Sequence, residues 1–347
     1  VTIKWFMFCM RRETFKMKKT TMSAKSPKVK ASHIGSEIRH TLRKMEFPVC
    51  CQEGLLYIEK LGDGSNKIAK SANSHKLISE IVDEFVFYQD KRGAQSKKLN
   101  KLQELQLIDI LSDYFMSCQD EVTRNTVFMH LFHPGQSNES YEVKILGKLV
   151  SYAISTANRP VLVCCGIWLQ QQGCTSKNSL TIIQTTIEDF ILILPGSFHY
   201  LLDVPELSLH FTGNFLAGLT SLYSYLGEGK SNTPPDKLIR TVSHWVTKYP
   251  KLCITPLVQP IQNVLPKGSI AMPATSPLGG LMRWCIESIF FGEKTCKVSD
   301  GIDVLFSKLH LGLLEILLHN SQSNPALVLV NSKQISLIVK NIIQFVK

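Results

Sequence analysis

Hydrophobic residues recur every three or four positions along most of this chain, and the segment 99–115 shows the pattern most clearly. A repeat of that length places apolar side chains on one face of an amphipathic helix. Asn100 stands where the helix would begin and Gln103 follows three residues later, an arrangement typical of a capping box. Glu104 falls outside the apolar positions and is assigned to the polar face. The predicted buried stripe comprises Leu99, Leu102, Leu105, Ile108, Leu111 and Phe115.

The same periodicity predicts further helices, whereas strand-like alternation is almost absent. Pro48 is expected to break the first segment into a pair of helices. Three later helices are each expected to begin with a capping residue followed by a proline. Proline is tolerated at the first helical position because the backbone N–H that it lacks would have no hydrogen-bond partner within the helix. These pairs are Thr233-Pro234, Ser276-Pro277 and Asn324-Pro325. The predicted segments are 36–61, 76–87, 120–132, 143–157, 160–169, 180–194, 207–225, 238–246, 278–291, 302–318 and 327–346.

This succession of short helices predicts an all-α fold. The helix pairs at 100–132, 143–171 and 180–226 advance by roughly 40 residues, the period of HEAT-type repeats. We therefore expect an irregular HEAT-like α-solenoid of antiparallel helix pairs over residues 36–347, with an irregular globular bundle as the alternative. Because the last predicted helix runs to the end of the sequence, the natural protein is expected to be longer.

The net charge of +11 is concentrated near the N-terminus. Residues 1–50 hold 12 Lys or Arg and 3 Asp or Glu, which leaves a balance of only +2 for the remainder. Direct nucleic-acid binding is therefore not expected of the helical body and would have to use the N-terminal segment. Residues 1–35 are predicted to be a basic disordered extension, and the tract 25–30 would suit nuclear import. A true start at Met22, with the preceding residues not native, is the alternative. No apolar run approaches the ~20 residues of a membrane span.

Candidate catalytic chemistry is sparse. Gly229-Lys230-Ser231 ends like a phosphate-binding Walker A loop, but that loop needs a glycine where Ser224 stands and a strand before it. A glycine-rich turn is the favoured interpretation, and a nucleotide-binding enzyme is the alternative. The adjacent pairs Cys50-Cys51 and Cys164-Cys165 do not match any zinc module. We therefore expect neither an enzyme nor a metal or other cofactor, and assign the cysteines to a reducing compartment.

Several segments resemble, in order, the Integrator complex subunit 15 family. The resemblance covers about residues 36–347, and the chain is identified as a divergent, invertebrate-like member. Residues 1–35 lie outside the family pattern, a lysine-rich insertion is short here, and a Pro/His-rich tail is absent. The matching segments are Ser36-Glu-Ile-Arg-His, Leu99 to Phe115, Leu146-Gly-Lys-Leu-Val, Arg159-Pro-Val-Leu, Trp168-Leu-Gln, Pro277 to Cys285 and Phe306-Ser-Lys-Leu-His-Leu.

The resemblance implies a non-catalytic scaffold in a nuclear assembly on RNA polymerase II. Integrator cleaves nascent transcripts, matures small nuclear RNAs and attenuates transcription, and its nuclease and phosphatase belong to other subunits. The family is expected to connect the module of subunits ten, thirteen and fourteen to the rest, so that contact with the polymerase is indirect. Nuclear localisation is expected, and a cytoplasmic pool is left open. A generic α-solenoid adaptor outside Integrator is the alternative.

Three polar residues in the matched C-terminal segments are candidates for a partner surface. They are Arg283, Lys308 and His310. Each lies off the apolar stripe of its predicted helix, which also fits an ordinary solvated face. Trp284 lies at the margin of its stripe, and partial core packing is favoured over a partner contact.

Overall fold

The computed structural model describes residues 31–62, 74–88, 99–133, 141–193, 196–223, 233–254, 275–291 and 302–323. Within these ranges all regular structure is helical and no strand occurs, which confirms the all-α prediction. The chain divides into two compact units, Val1–Gln103 and Glu104–Lys347. The predicted helix at 327–346 and the pair Asn324-Pro325 lie outside the described residues, as do residues 1–30.

Among the described residues of the first unit, three helices pack on one another. Glutamates of α3 pair with arginines of α1, Glu80 with Arg39 and Glu84 with Arg43, the latter from the turn that follows α3. The predicted break at Pro48 is confirmed, with a cis peptide bond before this proline. The helices are α1 (Ala31–Arg43), α2 (Val49–Gly62) and α3 (Ser74–Ile81), and α3 continues into a π-helical turn at Val82–Val86.

The capping box at the start of α4 (Lys101–Ser117) is confirmed. The Asn100 amide donates to the Gln103 side chain at 3.0 Å, and the Gln103 amide donates to the Asn100 side chain at 2.9 Å. These two bonds satisfy amides that have no partner within the helix, so they fix where the helix begins.

The predicted buried stripe of α4 is wrong in part. Leu102 is 57 % exposed and Leu105 only half-buried, whereas Glu104 is buried at 7 % exposure and Leu107 is fully buried. Steps of three residues advance by about 300° around the axis, so a row of such steps drifts away from one face. Leu102 and Leu111 are nine residues apart and therefore lie on opposite sides of the helix.

The middle of the second unit is a group of long helices. The buried side chain of Asn158 makes two kinds of contact. Its oxygen accepts from the Val161 amide and so caps α7, and its Nδ2 donates to Ser112 of α4, at 2.8 Å to the hydroxyl and 3.0 Å to the carbonyl oxygen. The predicted helix at 180–194 is confirmed in its first part and ends in a π-helical turn. The helices are α5 (Glu121–Leu131), α6 (Tyr141–Ser155), α7 (Arg159–Gln172) and α8 (Lys177–Ile187), which continues through Glu188–Ile193.

The helices predicted after Pro234 and Pro277 are present, but neither proline is the first helical residue, and Pro235, not Thr233, directly precedes α12 without a side-chain cap. α12 begins two residues after Pro234, and α14 begins directly after Pro277. The helices are α9 (His199–Leu202), α10 (Val204–Leu207), α11 (Leu209–Leu222), α12 (Asp236–Lys248), α13 (Lys251–Ile254), α14 (Leu278–Phe291) and α15 (Ile302–Ser323).

Three buried tryptophans link helix ends that are distant in sequence. Trp168 of α7 donates its indole N–H to the carbonyl oxygen of Phe132 at 2.6 Å, and Trp245 of α12 donates to Leu201 at 2.9 Å. Trp284 of α14 donates to Tyr223 and, at 3.2 Å, to Thr220. Carbonyl groups in the last turn of a helix lack intrahelical partners, so each buried indole satisfies an otherwise costly acceptor.

Helices that are not consecutive also pack on one another, notably α6 on α8, α7 on α11, and α12 on α15. The predicted HEAT-like solenoid stays a prediction. The packing holds α14 and α15 against α11 and α12, and it thereby positions the candidate partner surface.

Candidate partner surface

The C-terminal helices α14 and α15 carry the three residues that the sequence proposes for partner binding. α15 buries one side, comprising Leu305, Phe306, Leu309, Leu313 and Ile316, against its neighbours. The other side is exposed, and it contains Lys308 and His310. Neither of these two side chains forms an ion pair within the described part of the chain.

The exposed side of α15 has an apolar centre. Val304 is 51 % exposed, Leu311 61 % and Leu314 39 %. With about 100° per residue, the three side chains lie in the arc between Lys308 and His310, and the exposed Ser307 and Glu315 stand in the same arc. We call Val304, Lys308, His310, Leu311 and Leu314 the α15 face. Large apolar side chains surrounded by polar ones are the arrangement that protein interfaces present, with a hydrophobic core and a polar rim.

Arg283 is held by contacts within the protein. Its guanidinium donates to the carbonyl oxygen of Thr220 in α11, and its Nε lies 3.5 Å from a carboxylate oxygen of Glu287. Glu287 is buried, whereas about 31 % of the Arg283 side chain remains exposed. The arginine therefore joins α14 to α11 and offers only one edge to solvent. It lies on a different helix from Lys308 and His310.

Trp284 is fully buried, which confirms its assignment to core packing. Its ring makes edge-on contacts with Tyr223 and Phe306, at centroid distances of 6.4 Å in each case. Trp284 of α14 packs against the end of α11 and against the buried side of α15. Its side chain is therefore not accessible to a partner.

The cysteines of the described residues are mostly buried and free. Burial raises the pKa of the Cys164 thiol to about 12 and that of Cys174 to about 11. These thiols are therefore protonated at neutral pH, whereas metal ligation and nucleophilic attack need the thiolate. Within the described ranges no group of three His, Cys, Asp or Glu residues could hold a metal ion.

Two further sequence features can be placed only in part. Gly229-Lys230-Ser231 lies outside the described residues, and α11, which leads toward it, is helical as far as Leu222. None of the helices that the structure describes combines the length and the apolar content needed to cross a bilayer.

Comparison with known proteins decides the family. The family model of Integrator complex subunit 15 matches residues 36–347. The chain belongs to the Integrator complex subunit 15 family. The Integrator complex subunit 15 of Drosophila melanogaster is 34 % identical over 283 residues, which are 78 % of this chain and 70 % of that protein. The human protein of that name is 31 % identical over 315 residues, 83 % of this chain and 69 % of its own length.

The match to the Integrator complex subunit 15 family has the same bounds that the sequence motifs indicate, and it leaves out residues 1–35. The apolar centre of the α15 face is the feature that sequence reasoning missed. Val304, Leu311 and Leu314 lie off the inward-facing positions of their predicted helix, but the exposed apolar patch that they form is not anticipated from the sequence.

Proposed function

We propose that this protein is a non-catalytic subunit of Integrator that connects other subunits through its helical surfaces. Membership of the Integrator complex subunit 15 family supports the assignment to the complex. In this role the protein links the module of subunits ten, thirteen and fourteen to the rest of Integrator. It thereby takes part, in the nucleus, in cleavage of RNA polymerase II transcripts, 3′-end processing of small nuclear RNA and attenuation of transcription.

The α15 face is the single structural observation that supports a connecting role. Its three apolar side chains expose to water a surface whose burial is favourable at roughly 25 cal/mol per Å². Lys308 and His310 at the edges supply polar groups that can fix the orientation of a partner. We propose that another Integrator subunit covers this face. Arg283 contributes, if at all, through its exposed edge on the neighbouring helix α14.

The first test is the recovery of partners by the full-length chain. The tagged protein is expressed, recovered from nuclear extract and analysed by mass spectrometry. We expect other Integrator subunits among the most enriched proteins, with those of the module of subunits ten, thirteen and fourteen in stable proportion. Recovery of unrelated proteins alone would mean that the chain is an adaptor outside Integrator, which contradicts the proposal.

The second test concerns the α15 face itself. Leu311→Asp places a charge at the centre of the face, and Met116→Asp places one at a comparably exposed apolar residue of α4, 48 % exposed, as the matched control. We expect Leu311→Asp to reduce recovery of Integrator subunits about tenfold, because an unpaired charge would be buried in the interface. Met116→Asp should leave recovery unchanged, and both variants should melt like the natural protein.

Another outcome would contradict the partner assignment. Residues 324–347 follow α15 directly and could cover the same face from within the chain. In that case Leu311→Asp would lower the melting temperature and leave the recovery of Integrator subunits as it is.

A further inference from the structure

Helix α12 carries a row of basic side chains along its exposed side. Lys237, Arg240, His244 and Lys248 are all exposed, and they are spaced by three, four and four residues. With about 100° per residue the four lie within an arc of about 80°, and they extend over roughly 16 Å of helix. We call them the basic row. Leu238, Ile239, Val242, Trp245 and Val246 bury the opposite side of the same helix.

The packing of α12 fixes the direction in which the basic row points. The helix is held against α15 and α9, and Trp245 is anchored through its indole N–H to Leu201. Lys237, Arg240 and His244 form no ion pair within the described part of the chain. Lys248 pairs with Glu206 at 2.8 Å. The row therefore presents at least two unneutralised cations from a rigid helix, in a body whose charge beyond residue 50 is only +2.

The surroundings of the basic row favour a protein partner over a nucleic acid. Single strands bind where aromatic rings stack on bases beside a broad basic groove. Here Trp245 is buried, and the Tyr249 ring lies under the Lys248 ammonium at 5.2 Å with its hydroxyl bonded to Glu206. Two carboxylates also stand next to the row, Glu206 beside Lys248 and the exposed Asp236 at the start of the helix. They reduce the number of unneutralised cations along the row, whereas phosphate-driven binding depends on many such contacts.

A carboxylate-bearing helix matches the spacing of the basic row. In a partner helix, Asp or Glu residues three or four positions apart repeat with the same rise per turn as the cations of α12. Lys237 and Arg240 can then each meet a carboxylate when the two helices lie side by side.

We propose that the basic row of α12 is a docking site for an acidic, helical segment of a protein partner. This surface is separate from the α15 face. The inference is drawn from the charges and their spacing, so it does not depend on the assignment to Integrator.

The test uses the purified full-length chain and two defined probes. One is a fluorescent helical peptide of about 20 residues with Glu at every third or fourth position, and the other is an oligouridylate of similar charge. Binding is followed by fluorescence anisotropy at low and at physiological ionic strength. Lys237→Glu/Arg240→Glu is compared with Lys144→Glu/Lys177→Glu, which makes the same change of net charge at exposed lysines of α6 and α8.

We expect the variant in the basic row to weaken binding of the acidic peptide about tenfold and the control variant to weaken it less than about twofold. The basic N-terminal segment is present in every variant, so it contributes the same background binding to each. Melting temperatures are measured for both, and Lys237→Gln/Arg240→Gln replaces the charge reversal if that variant does not fold.

Three results would overturn the proposal. Equal weakening by both variants would mean that only the net charge matters. No measurable binding of the peptide at low ionic strength would mean that the row is an ordinary solvated face. Selective loss of oligouridylate binding, with the peptide unaffected, would assign the row to nucleic acid.

Discussion

Glu104 is a carboxylate held almost out of contact with water on α4. Its Oε2 accepts a hydrogen bond from Nζ of Lys148 in α6 at 2.9 Å, and the lysine keeps about 36 % of its side chain exposed. Burial raises the pKa of the Tyr141 hydroxyl, and the nearby Glu104 carboxylate raises it further. The carboxylate is therefore the acceptor that allows polar groups of α6 to approach α4.

We predict that Glu104→Ala lowers the free energy of unfolding by about 1–2 kcal/mol, because the half-buried Lys148 ammonium loses its partner. The measurement is urea denaturation of the full chain. Glu315→Ala, at an exposed position of α15, is the control and should change stability by less than about 0.5 kcal/mol. Equal effects of the two substitutions would show that the Glu104 pair contributes nothing.

The assignment of Glu104 shows the limit of periodicity as a guide to burial. The apolar residues of 99–115 outnumber the positions that one face of a helix can hold, so several stripes fit the letters equally well. Leu107, Ile108 and Leu111 are the buried set, and they place Glu104 one turn before Leu107 and Ile108 on the same face. Lys148 of α6, 44 residues away in sequence, supplies the opposite charge that makes this burial tolerable.

His210 of α11 is a partly buried polar group between α11 and α7. Its Nε2 lies 2.7 Å from the side-chain oxygen of Gln170 in α7, whereas its Nδ1 is buried without a hydrogen-bond partner among the described residues. Burial lowers the pKa of this imidazole from 6.5 to about 4. The folded protein therefore holds His210 neutral at pH values where the unfolded chain binds a proton.

We predict that His210 makes the protein less stable as the pH falls from about 6.5 toward 4. In that range the unfolded state takes up a proton that the folded state excludes, so stability decreases with decreasing pH, and above about 6.5 the effect is absent. Melting temperatures are compared at about pH 7 and about pH 5. The difference should be smaller for His210→Gln than for the natural chain, while the exposed His310→Gln should behave like the natural chain. A difference that is unchanged in His210→Gln would mean that other groups cause the acid sensitivity.

At the scale of elements, neighbouring glycines of α14 differ in their surroundings. A Cβ atom added at Gly280 would meet the Thr220 side chain of α11, with the Thr220 Cβ only 2.6 Å away, whereas one added at Gly279 would meet nothing within 4 Å. The close approach of α14 to α11 therefore depends on Gly280. That approach also brings Trp284 to the carbonyl groups at the end of α11.

We predict opposite effects for the two alanine substitutions. Gly279→Ala should stabilise the protein by about 0.5–1 kcal/mol through the helix propensity of alanine. Gly280→Ala should destabilise it by about 1–3 kcal/mol, because α14 must move away from α11. Thermal melts of both variants give the comparison. A Gly280→Ala protein as stable as Gly279→Ala would show that the two helices do not meet at this residue.

Local signals predicted the elements better than their packing. The capping box at Asn100 acts within one helical turn, so the sequence alone specifies it. The prolines before α12 and α14 mark the starts of these helices only to within one or two residues. The π-helical turns that end α3 and α8 have no such signal. Packing contacts such as Asn158 to Ser112 join residues 46 positions apart, and nothing in either local sequence indicates the other.

At the scale of the whole molecule, a net charge near zero does not exclude a local group of like charges on the surface. The remainder beyond residue 50 has a balance of +2, from which the sequence predicts no basic face on the helical body. The basic row of α12 shows that a nearly neutral body can still present cations on one side. Its spacing of three, four and four residues is visible in the sequence once the helix bounds are known. Lys308 and His310 are exposed on α15, and their role in partner binding stays a prediction.

The contributions of the N-terminal segment and of the helical body to partner binding can be separated by truncation. We predict that removing residues 1–35 leaves recovery of Integrator subunits intact, because the family match begins at residue 36 and the α15 face lies in the second unit. Contacts through packed apolar surfaces should also survive moderate salt, because salt screening weakens exposed charge pairs far more than it weakens apolar contacts.

The measurement is co-precipitation of the truncated and the full-length protein from nuclear extract at low and moderate salt. Nuclear extract is used because loss of the basic tract at 25–30 could impair import without affecting binding. Loss of the subunits from the truncated protein at both salt concentrations would mean that the basic segment, and not the helical body, makes the contact.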